Sequence, residues 1–92
     1  MVKKRSELQI STEILRIIFN NQEKARPTYI QFKANLSYKR LDSYLQDLIR
    51  RGLVDKKILD NKNYFVLTKK GREFLVGVKQ VKEFTQSFGF EV

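Results

Sequence analysis

Residues 34–54 read ANLSYKRLDSYLQDLIRRGLV, and their spacing constrains the rest of the chain. Ser37 is a residue type that accepts a hydrogen bond from an unpaired backbone N–H at a helix start. Leu41, Leu45 and Leu48 follow at helical spacing, within one narrow arc at about 100° per residue. Tyr38, Tyr44 and Ile49 flank that arc, while Lys39, Ser43, Gln46 and Arg50 point the opposite way. Gly52 then supplies the left-handed residue on which a helix can end. The stretch predicts a short amphipathic helix, gripped by three leucines and polar to basic on its outer face.

The flanks extend the pattern in both directions. Upstream, Pro27 fits the first turn of a second short helix, where its missing N–H is not needed. Tyr29, Ile30 and Phe32 are expected on the buried side of that helix. Ala34-Asn35-Leu36 is a tight connection, with asparagine tolerating a left-handed backbone. Before it, residues 6–21 read as a helix capped by Ser6, with Glu7 at the positive end of the dipole. Ile10, Ile14, Ile17 and Ile18 form its apolar stripe, and Asn20 through Arg26 reads as an exit loop.

Downstream the period changes. Leu53 to Ile58 can form a strand, Tyr64 to Leu67 its partner, and Asp60-Asn61-Lys62-Asn63 the turn between them. Thr68 caps a last helix, with Lys69, Lys70 and Gly71 in its first turn. Phe74, Val78, Val81, Thr85 and Phe88 then recur with the rhythm of a coiled-coil seam. Gly77 interrupts that helix at a cost of about 1 kcal/mol relative to alanine, and Gly89 is a plausible stop.

At 92 residues the chain suits one small domain. It contains no cysteine and no histidine, which removes disulfides and the usual metal ligands. Those two absences also remove the commonest catalytic groups. No glycine-rich phosphate loop is present, and Glu73 and Glu83 have no obvious partner acid, so no enzyme, cofactor or metal is expected. No run of about 18 apolar residues occurs, so no membrane span is expected. The basic start is not followed by a long apolar segment and does not read as a signal peptide. A cytoplasmic, nucleoid-associated protein is the expectation.

The net charge of +9 calls for an anionic partner. Its distribution says more than its size. Residues 33–51 carry +3, residues 52–72 carry +4, and residues 73–92 carry −1. Residues 1–5 carry +3 and read as a flexible basic tail, residues 6–72 as the domain proper, and residues 73–92 as a C-terminal dimerisation helix and tail.

Helix, helix, turn, helix, hairpin, helix is the order of a winged helix: an α+β fold, mainly α, with a three-helix bundle, a β-hairpin wing and a C-terminal helix. In such modules the third helix enters the DNA major groove and the wing reaches the backbone or minor groove. The expected contacts to double-stranded DNA are Ser37, Tyr38, Lys39, Arg40, Ser43, Gln46 and Arg50 on the helix. On the wing they are Lys56, Lys57, Asn61 and Lys62. The expected homodimer contacts are Phe74, Val78, Val81, Thr85 and Phe88.

The run Leu36-Ser37, Leu41, Tyr44-Leu45, Leu48, Arg51-Gly52-Leu53-Val54, then Tyr64, Leu67-Thr68, Gly71 and Phe74-Leu75, resembles archaeal winged helix-turn-helix DNA-binding proteins. In particular it is similar to a small basic family that dimerises through a C-terminal helix. The rhythm of recognition helix, Gly-Leu-Val, wing and Leu-Thr-x-x-Gly is shared with multiple-antibiotic-resistance and arsenical-resistance repressors. The resemblance spans residues 6–88 and implies a homodimeric DNA-binding regulator. Cysteine or histidine metal sensing, frequent in the arsenical-resistance group, does not carry over, because this chain has neither residue. Two other readings stay open: a non-specific chromatin-type binder, and a protein-docking module using Phe84, Phe88 and Phe90. Each site residue also has a bland alternative, as solvated helix surface, core-edge packing or a charged hairpin edge that blocks aggregation.

Overall fold

The computed structural model describes residues 5–90. Helix α1 (Glu7–Asn20) opens with a capping box: the Ser6 hydroxyl accepts from the Gln9 N–H, and the Gln9 side chain accepts from the Ser6 N–H. Its inward face is Ile10, Ile14, Leu15 and Ile18, all essentially without solvent contact, while Ile17 packs at the margin. Arg5 is drawn into this fold instead of trailing from it. Its guanidinium donates to Glu13 at 2.9 Å and to the Ala34 carbonyl at 2.8 Å. The rest of the expected basic tail, residues 1–4, lies outside the described residues.

The stretch expected as an exit loop contains a strand. Gln22 and Glu23 both take positive φ, turning the chain so that β1 (Lys24–Ala25) pairs antiparallel with β3 (Lys62–Leu67). The Glu23 carbonyl accepts from Leu67, and its carboxylate is bound by Arg72 at 2.6 Å. Tertiary partners thus define a two-residue strand that has no periodicity of its own to read.

Helix α2 (Pro27–Ala34) buries Ile30 and Ala34. This corrects the expectation for Phe32, which is 82% exposed, and for Tyr29, which lies near the surface. A helix this short has one inner face; Ile30 and Ala34, four apart, take it, and Phe32 midway between them points outward. Asn35 closes α2 in the left-handed region, as its residue type suggests.

Helix α3 (Tyr38–Arg50) is capped by the Ser37 hydroxyl and fully buries Leu41, Leu45 and Leu48. Its end is a Schellman motif: Gly52, at φ 77°, donates to Ile49, and Leu53 donates back to Leu48. β2 (Val54–Leu59) then pairs with β3 in the register Val54–Leu67, Lys56–Phe65 and Leu59–Lys62. Asp60 and Asn61, both at positive φ, form a two-residue turn tighter than the four-residue cluster expected. The sheet order is β1-β3-β2.

Helix α4 (Lys69–Ser87) starts from a threefold lock. The Thr68 hydroxyl accepts from Gly71 and donates to the Gly52 carbonyl at 2.7 Å, while the Thr68 N–H donates to Leu53. Gly71 is buried so tightly that a Cβ would overlap the Leu53 carbonyl and the Leu67 side chain. That contact is why Leu-Thr-x-x-Gly follows Gly-Leu-Val: the two segments are the two halves of one joint. Phe74 and Leu75 still pack on the core, but Val81, Phe84, Phe88 and Phe90 are all more than half exposed. Among the described residues, no helix is long and apolar enough to cross a membrane.

Candidate nucleic-acid interface

The outer face of α3 is open, as the leucine spacing requires. Lys39, Ser43 and Gln46 are exposed opposite the buried leucines, and Arg50 shares their side. Ser37 is engaged as the cap, its hydroxyl accepting from the Arg40 N–H at 3.2 Å. Tyr38 is exposed at the flank nearer the hairpin. A shallow cleft of about 70 Å³ there is lined by Tyr38, Asp42, Gln46, Lys56 and Asn63. Strand alternation explains why Lys56 joins this group: its cross-strand neighbour Phe65 is buried, so both point to the helical side of the sheet.

Other expected residues are dispersed by the same geometry. Arg40 lies on the opposite flank of α3, beside a groove of about 560 Å³ between α1, α3 and α4 whose rim Ser43 and Arg50 also reach, with Glu7, Leu8, Tyr44 and Phe74. Lys57 and Lys62 pair with Tyr64 and Leu59, placing them on the sheet face turned away from the core. Asn61 occupies the wing tip in the turn. Lys39, Arg40 and Lys62 therefore do not form one patch.

Arg50 and Arg51 are bound by one carboxylate. Asp47 accepts from Arg50 and from Arg51, each at 2.8 Å. These hydrogen bonds, the Arg50 bond foremost, hold the Asp47 carboxyl below the usual carboxylate range.

The structure adds residues that charge counting conceals. Lys24 and Arg26 lie over the Tyr64 ring, 5.8 and 5.6 Å from its centroid. Arg26 also donates to the Asn63 carbonyl at 3.1 Å. In sequence the segment around them averages to zero charge. Glu23, the acid beside them, is instead engaged by Arg72 across the fold. Among the described residues, no group of three acidic side chains gathers where a metal ion could sit.

A three-helix core, a solvent-facing third helix and a β-hairpin beside it define the winged-helix class of helix-turn-helix domains. The winged helix-turn-helix family profile matches residues 4–86, and the chain belongs to that family. No curated protein matches it. Among solved structures, Sso10a-2, a DNA-binding protein from Sulfolobus solfataricus, superposes with a TM-score of 0.76 at 20% identity, covering 91% of this chain and 85% of that one. A winged-helix DNA-binding protein from STIV gives 0.71 at 14% identity, covering 85% and 90%. MepR, a transcription regulator of the Staphylococcus aureus multidrug efflux pump MepA, gives 0.76 at 15% identity, covering 86% of this chain and 61% of that one. At these identities the likeness is one of fold.

Proposed function

We propose that the protein is a homodimeric transcription regulator that binds double-stranded DNA in the nucleoid. The observation that carries this reading is the open face of α3, where Lys39, Ser43 and Gln46 are exposed and Gln46 shares a cleft with Lys56 of the wing, in a chain with net charge +9. The named neighbours bind DNA or regulate transcription, which supports the same reading.

In this mechanism α3 lies in the major groove. Lys39 reads the N7 and O6 acceptors of guanine, and Gln46 pairs with the N6 and N7 edge of adenine. Ser43 and Tyr38 add hydroxyl contacts to neighbouring edges or phosphates. The wing follows the backbone, and released counterions supply much of the affinity. The exposed half of the α4 stripe, Val81 and Phe88 with Phe84 and Phe90 beside it, covers a second copy. Two α3 helices then meet half-sites about one helical turn apart, roughly 34–36 Å.

Selection of bound sites from a random duplex pool tests this reading. A two-fold related motif is expected. The Lys39→Ala variant is expected to lose about 1–3 kcal/mol on that motif and to relax preference at one base pair. Recovery of random sequence would instead indicate a non-specific, chromatin-type binder.

A further inference from the structure

Cations are unevenly held on the two faces that flank the domain. On α3, Asp47 engages both Arg50 and Arg51, leaving Lys39 and Arg40 as the helix cations outside those two pairs. On the outward face of the sheet, Lys57 and Lys62 share a side with Tyr64, and Lys24 joins them through its pairing with Val66. Arg26 is steered over the same ring by its bond to the Asn63 carbonyl. None of these four cations is in an ion pair among the described residues. Asp55 is the only strand acid on that face, and Glu23 is removed from competition by Arg72.

Resting on the DNA-binding reading above, we infer that the outward sheet face, Lys24, Arg26, Lys57 and Lys62 around Tyr64, is a phosphodiester-binding site that carries more of the backbone affinity than α3 does. The chemistry fits. The flexible ammonium groups of Lys57 and Lys62, with Lys24 and Arg26 at the ring, can meet successive phosphates without demanding a base sequence. The Tyr64 ring holds Lys24 and Arg26 in place before DNA arrives. Affinity and sequence selection then reside on different elements, sheet and helix.

The test compares two triple variants by duplex titration over a range of salt. Lys24→Ala/Lys57→Ala/Lys62→Ala is expected to make the log–log salt slope shallower by about 3, since each lost phosphate contact removes about 0.9. Its preference for the selected site over random duplex is expected to stay within about twofold. Lys24→Arg/Lys57→Arg/Lys62→Arg keeps the charge and is expected to keep the slope, which separates loss of charge from loss of fold. The inference is overturned if the alanine variant changes the slope by less than about 1, if it loses site preference instead, or if the arginine variant fails equally. Absence of salt-dependent binding in the unmodified protein would overturn the DNA-binding reading itself.

Discussion

Asp47 is the residue whose removal most sharply separates stability from binding. Its carboxylate holds Arg50 and Arg51 against the helix surface, so it competes with phosphate for both guanidiniums. Asp47→Asn keeps the shape and removes the charge. It is expected to tighten duplex binding at low salt and to steepen the salt slope by about 1 to 2, as one or both arginines become available. Titration of the variant beside the unmodified protein checks this, and unchanged binding would place both arginines off the DNA. The same pair sets a pH dependence. Because the folded carboxyl is depressed below its ordinary value of 3.8, its stabilising contribution is present above that value. The contribution is lost as pH falls through the lowered value. The Asp47→Asn variant is expected to lack that acid limb when unfolding is followed at low pH.

Two glycines in α4 make opposite predictions for the helix that carries them. Gly71 sits against the Leu53 carbonyl and the Leu67 side chain, so Gly71→Ala forces the joint between α3 and α4 apart. A loss of about 1–3 kcal/mol is expected by denaturant unfolding. Gly77 has open space where a Cβ would go, and Gly77→Ala is expected to gain about 0.5–1 kcal/mol in the same measurement. The hairpin makes a register prediction: Lys56→Glu, on the α3 side, is expected to alter preference for the selected site, whereas Lys57→Glu weakens all sequences alike.

Much of this was legible in advance, because caps and periodicities are local. Ser6, Ser37 and Thr68 cap where their residue types suggest, and Leu41, Leu45 and Leu48 bury together. What escaped the sequence depends on distant partners. β1 exists because β3 pairs with it, Phe32 is exposed because α2 is too short for two buried faces, and Lys24 and Arg26 stand out only once Glu23 is seen with Arg72. The sequence marks Lys57 and Lys62 as wing residues, but which side of the sheet they occupy follows from the register alone.

Taken whole, the molecule is elongated. Its Cα radius of gyration is 13.9 Å and its longest extent 49 Å, against about 12 Å expected for the radius of a compact chain of this length. Helix α4 projects an aromatic end in which Phe84 and Phe88 meet edge to face at 5.2 Å, with both rings still exposed. Phe88→Asp is expected to halve the sedimenting mass by opening the proposed homodimer. Losing the second α3 then weakens binding to a two-fold site by roughly 100-fold or more. An unchanged mass would show that this end of α4 does not hold the dimer.

The binding expectations among these require that the open face of α3 and the basic wing meet duplex DNA. The deciding measurement is the affinity of the unmodified protein for duplex DNA across a range of salt concentrations. Neutralisation of about six phosphates gives a log–log slope near −5, and a slope near zero would contradict the account.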